Sequence, residues 1–124
     1  MEIKASKEWF FGDSTPWEEL GPGLKRQMMG YDKNLMLIKV AFEEGAVGST
    51  HDHYHSQCTY VVSGEYEMTI GDEVKMIKGG DSYYIPPDVP HGIVCKKKGI
   101  LIDVFSPARE DFLEGGEVSY FAKK

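Results

Sequence analysis

Turn residues interrupt this chain at short, regular intervals, and that rhythm constrains it to a β-rich fold. Leu35–Phe42 reads as a strand, and Glu43-Glu44-Gly45 turns out of it. Thr59–Val62 and Glu65–Ile70 flank Ser63-Gly64, which reads as a tight turn. In the second of these strands Tyr66, Met68 and Ile70 alternate with Glu65, Glu67 and Thr69, the period of a half-buried strand. Gly71-Asp72 turns again, and Glu73–Ile77, Ser82–Ile85, Gly92–Cys95 and Ile100–Phe105 follow. Many short strands between Gly/Pro turns predict an all-β sandwich or barrel. Residues 1–34 read as irregular, with aromatic clusters at Trp9–Phe11 and Trp17 that need something to pack on. The expected division is therefore an N-terminal segment, 1–34, lying on the barrel or on a partner, and a domain at 35–122. After Phe105, Ser106 is placed to cap a short helical turn with Pro107 at its first position, ended by Gly115-Gly116. Val118–Ala122 reads as a last short element.

The 124 residues suffice for one domain with one core. Their 14 basic and 20 acidic side chains give a net charge of −6, without a basic arm or stripe, which argues against nucleic acid and anionic lipid as partners. Lys96-Lys97-Lys98 reads as a solvated turn. The charged opening residues lack the apolar core of a signal peptide, and no apolar run reaches membrane-spanning length. Cys58 and Cys95 are too few for a disulfide framework. The expectation is a cytoplasmic protein with no membrane partner. Cys58 should face away from Gln57 and serve packing.

The chemistry concentrates between Gly45 and Gly64, as Gly-x5-His51-x-His53-x3-Gln57-x6-Gly64, with His91 downstream. Three imidazoles and a carboxamide form the ligand set of a mononuclear metal site with open positions. Imidazole suits zinc, copper, iron and nickel, and a side-chain oxygen widens the choice towards manganese. His51 and His53, two apart on a strand, would leave the same face. His55 shares that parity and is the alternative ligand to Gln57, or else a residue at the cavity mouth. The competing reading is a histidine-rich surface loop.

These spacings resemble the first motif of the cupins, Gly-x5-His-x-His-x3–4-Glu-x6-Gly, with Gln57 in place of Glu. The second cupin motif, Gly-x5-Pro-x-Gly-x2-His-x3-Asn, is similar to Gly80-x5-Pro86-x-Asp88-x2-His91-x3-Cys95, with Asp88 and Cys95 as departures. Only 15 residues, 65 to 79, separate the motifs, as in small single-domain cupins. The resemblance implies a jelly-roll barrel with His51, His53, Gln57 and His91 around one divalent ion of nickel, zinc, manganese or iron, and a homodimer built through outer strands. Exchanging Glu for Gln leaves the centre one charge more positive and a better Lewis acid.

A second stretch, Asp103 to Phe112, puts Asp103 and Phe105 on one strand face, with Arg109 just beyond. If that face looks into the barrel, a buried carboxylate there requires a partner, and Arg109 can fork onto a substrate carboxylate. The alternative is local: Asp103 bonded at its strand end, Arg109 paired with Glu110 or Asp111 on the surface. The phrase from Asp103 to Phe112, after a Gln-variant motif, resembles the small cupins of the pectin-degradation type. That family opens the ring of 4,5-unsaturated uronates left by pectate or alginate lyases, yielding linear 5-keto-4-deoxyuronate, an isomerase-type reaction on a sugar acid. The resemblance implies Asp103 as base, Arg109 as carboxylate anchor and Phe105 as an apolar wall. Two other functions use the same ligands: a metal-dependent dioxygenase of a small molecule, and a non-catalytic sugar-acid-binding cupin.

Overall fold

The computed structural model describes residues 2–113. Among them a 3-10 turn at Gly12–Ser14 is followed by strands β1 (Glu18–Gly21), β2 (Leu24–Asp32), β3 (Leu35–Phe42), β4 (Val47–His51), β5 (Ser56–Val61), β6 (Glu65–Ile70), β7 (Glu73–Lys78), β8 (Ser82–Ile85), β9 (His91–Lys97) and β10 (Gly99–Ser106). A single helical turn, α1 (Glu110–Leu113), follows. One sheet has the order β1-β2-β3-β10-β5-β8 and the other β4-β9-β6-β7, with the paired strands antiparallel. Side chains from both sheets meet between them: Ile38, Val40, Leu101 and Val61 from the first, Tyr66, Met68 and Ile93 from the second. This is the all-β sandwich that the turn rhythm predicts, and the jelly roll that the motif resemblance implies.

The strict alternation of β3, with Met36, Ile38, Val40 and Phe42 buried, follows its period-2 pattern. The turn at Ser63-Gly64 does not make a hairpin. It carries the chain from β5 in one sheet to β6 in the other. Gly64 has φ +95°, and a Cβ there would stand 2.6 Å from the Lys97 carbonyl oxygen, so the crossing requires glycine.

Four expectations are corrected. Residues 18–32, read as irregular, form β1 and β2, and β2 pairs along β3 from Leu24↔Phe42 to Asp32↔Leu35. Its polar run, Arg26-Gln27, is buried because Glu18 takes the Arg26 Nε–H at 2.8 Å and the carbonyls of Gly12 and Thr15 take the Gln27 amide. Lys96 and Lys97 continue β9 rather than turning, each within 3.6 Å of a glutamate on β6, Glu67 and Glu65. Ser106 ends β10, opposite Ser56, and its hydroxyl donates to the Asn34 carbonyl at 2.7 Å, so it caps nothing and the helical turn begins at Glu110. Cys58 does point away from Gln57, but it is exposed rather than packed. The expected stop at Gly115-Gly116 and the element at Val118–Ala122 lie outside the described residues.

Candidate metal centre and its cavity

His51 ends β4, and its antiparallel partner across the sheet is His91, the first residue of β9. Strand pairing therefore brings together two residues far apart in sequence, with ring centroids 4.4 Å apart. His53 is not on the strand as expected; it sits in the bend between β4 and β5, and its ring lies 4.9 Å from that of His91. Ring nitrogens of the three lie within 4.8 Å of one another. The bend is tied to the second motif by Asp88, whose N–H donates to the His53 carbonyl at 2.7 Å. Asp88 has φ +67°, the left-handed backbone that explains why the motif elsewhere carries glycine there, and aspartate is among the few residues that tolerate it.

Each imidazole is oriented by a backbone carbonyl. Nδ1 of His51 faces Ser49 O at 2.7 Å, that of His53 faces His55 O at 3.1 Å, and that of His91 faces Val89 O at 2.9 Å. A carbonyl only accepts, so every Nδ1 carries the proton, and in the neutral ring Nε2 presents a lone pair. Burial first, then the nearby Arg109 charge, pushes the His53 pKa down to about 4. Burial likewise brings His91 to about 3 against the raising effect of its Val89 bond, and lowers His51. All three rings are therefore neutral at pH 7, the form that binds metals.

Gln57 stands beside the triad. Its amide N–H donates to Thr59 Oγ1 at 3.0 Å and to Asp103 Oδ1 at 3.3 Å, which turns Oε1 towards His53 Nε2, 3.0 Å away. Neutral His53 has one proton for two facing acceptors, His55 O and Gln57 Oε1, so one of these contacts sets lone pair against lone pair. Beside them, His91 Nε2 is buried without a hydrogen-bond partner among the described residues. An orphaned buried acceptor and two opposed lone pairs are costly as they stand, and a divalent cation relieves both. The residues present fit a metal ion, by their own chemistry.

The neighbouring cavity, about 380 Å³ with its open mouth, is lined by His51, Gln57, His91, Asp103, Phe105 and Arg109 together with apolar side chains from both sheets. Asp103 and Phe105 do share the inward face of β10, both nearly fully buried. Asp103 pairs across the sheet with Thr59, whose hydroxyl donates to it at 2.6 Å. Thr59 escaped the sequence reading, although its parity with Gln57 on β5 was the available signal. Phe105 sets its ring edge-on to His53 at 5.7 Å and lies 5.0 Å beneath the Arg109 guanidinium. For Arg109 the two alternatives coexist: it lines the cavity, and it forks onto Asp111, Nε to Oδ1 at 3.0 Å and Nη2 to Oδ2 at 2.8 Å. That pair is buried on the arginine side, not superficial. His55 stands apart from the triad and bonds Glu110 instead. Burial works to raise the Glu110 carboxyl, but hydrogen bonds from Tyr54 and His55 outweigh it, and its pKa is lowered.

Residues 38–105 match the Cupin domain family. The chain belongs to the cupins. It is 43% identical over 109 residues to the pectin degradation protein KdgF of Dickeya dadantii, a match spanning 86% of this chain and 99% of that protein. An RmlC-like cupin from Shewanella frigidimarina superposes with a TM-score of 0.86 at 50% identity, over 88% of this chain and 98% of that one. KdgF from Halomonas sp. gives a TM-score of 0.82 at 33% identity, over 86% and 99%.

Proposed function

We propose that this cupin opens the ring of 4,5-unsaturated uronates from pectin or alginate breakdown, yielding linear 5-keto-4-deoxyuronate. The observation that carries the reading is the convergence of Asp103, Phe105 and Arg109 on the cavity that His51, Gln57 and His91 also line. The extended identity to a pectin degradation protein supports the same substrate class.

The substrate is a cyclic hemiacetal whose ring oxygen belongs to an enol ether. Asp103 takes the proton of the anomeric hydroxyl, the carbonyl forms at that carbon, and the bond to the ring oxygen breaks. The electron pair leaves with the oxygen as an enolate, which gains a proton at C4 and becomes the C5 ketone. Thr59 and Gln57 hold the Asp103 carboxylate by hydrogen bonds to Oδ1, so its orientation is set before substrate arrives. Arg109, steadied by Asp111, neutralises the substrate carboxylate. Phe105 provides the flat apolar wall for the ring. His51, His53, Gln57 and His91 would hold one divalent ion of nickel, zinc, manganese or iron, which when bound supplies Lewis acidity for oxygen ligands. No oxidant enters this balance.

We propose further that the protein is a cytoplasmic homodimer. In support, both cysteines are unpaired, as in a reducing compartment. The outer face of the six-stranded sheet carries a cross-strand row of Tyr84, Cys58, Val104 and Leu37, with Tyr60 exposed beside it. Trp9 and Phe11 are also exposed, at 74% and 67%. An apolar face of this kind is a natural seat for a second copy. The test of the enzymatic reading is loss of ultraviolet absorbance from unsaturated galacturonate on adding the metal-loaded protein. Oxygen uptake in place of that loss would move the assignment to a dioxygenase.

A further inference from the structure

Glu110, on the C-terminal helical turn, reaches back to the bend that carries His53. Its Oε1 accepts from His55 Nε2–H at 2.8 Å, and its Oε2 accepts from the Tyr54 hydroxyl. His55 is buried, and its Nδ1 has no partner among the described residues, so Glu110 is the polar contact that orients the ring. The ring stacks on Tyr54 at 3.9 Å and stands edge-on to His53 at 5.5 Å. The same residue's carbonyl takes the Nδ1–H of His53. His51, by contrast, is held by the carbonyl of Ser49 within its own strand. Residues 52–55 have no strand partner and rely on contacts from elsewhere in the fold.

We infer that Glu110 is a positioning residue for the metal centre, acting through His55 to fix the ring and tautomer of His53. The inference rests on the reading of His51, His53 and His91 as metal ligands. The route is continuous: carboxylate to His55 ring, His55 carbonyl to His53 Nδ1–H, His53 Nε2 to the ion. A partner one residue removed from a metal ligand commonly changes affinity by about 10–100-fold when lost. Removing Glu110 leaves Tyr54 and His55 without their shared acceptor and frees the bend to turn His53 away. Glu110 has a side chain 37% exposed, so its replacement leaves the core intact.

The experiment titrates Co2+ into chelator-stripped protein and follows the visible absorption of the bound ion, with unfolding midpoints measured in parallel. Glu110→Ala is expected to weaken Co2+ binding about tenfold, and Glu110→Gln less, because the amide oxygen still accepts one bond. Because the effect runs through His55, adding Glu110→Ala to His55→Ala should weaken binding no further. A Glu110→Ala protein that unfolds earlier but binds Co2+ as tightly as wild type overturns the inference and leaves the metal centre standing. Wild-type protein that binds no Co2+ overturns the metal centre, and the positioning role with it.

Discussion

His91 offers the sharpest test among single residues, because its Nε2 is buried without a hydrogen-bond partner among the described residues. His91→Ala should abolish tight metal binding and activity together, and elemental analysis of wild type and variant compares them directly. Equal metal content in the two would contradict the ligand assignment. The three rings also set a pH dependence for the metal-free protein. In the unfolded chain a histidine takes up its proton near pH 6.5, whereas folded His53 does so only at about 4 and His91 at about 3. Between those limits the unfolded state binds more protons, so stability is full above about pH 6.5 and falls as the pH is lowered. Denaturant midpoints of chelator-stripped protein at pH 7 and pH 5 should show the decrease, and His53→Gln should make it shallower. Asp111 acts at the other wall. Asp111→Asn weakens the fork on Arg109, one charge-assisted pair of about 1.5 kcal/mol, and should raise KM for a uronate about tenfold while sparing kcat.

The elements differ in how far they can be read from sequence. β3, with its clean alternation, is bounded by the residues expected, Leu35 and Phe42. β2 was hidden because Arg26 and Gln27 are polar yet buried, and the partners that make this tolerable lie 8 to 15 residues away. No local pattern contains that information. The clustering of His51, His53 and His91 was legible because the spacing of two motifs marks these residues. That His51 and His91 are cross-strand neighbours depends on register, which the spacing alone does not specify. The helical turn was misplaced because Ser106 and Pro107 have the chemistry of a helix start, while pairing with Ser56 keeps Ser106 in β10. Strand position also separates the two thiols. Cys58 is on the exposed face of β5, and Cys95 is buried on β9 with its pKa pushed up to about 11, chiefly by burial. Iodoacetamide should label Cys58 in the native protein and reach Cys95 only on unfolding, as peptide mass spectrometry would read out. Rapid native labelling of Cys95 would contradict its burial.

For the whole molecule, His51 and His91 from one sheet face Gln57, Asp103 and Phe105 from the other across the cavity, so the cavity exists only when the barrel closes. If the outer row from Tyr84 to Leu37 seats a second copy, light scattering should give twice the chain mass, and charged residues in place of Tyr84 and Tyr60 should return a monomer. The most direct test of ring opening compares wild type with Asp103→Asn, both loaded with metal, on unsaturated galacturonate, following the loss of ultraviolet absorbance. Asparagine keeps the shape but cannot take the anomeric proton, so the variant should hold its metal and fold while kcat drops by about 10²–10⁴. Wild-type protein no faster than buffer, or Asp103→Asn as fast as wild type, would contradict the account.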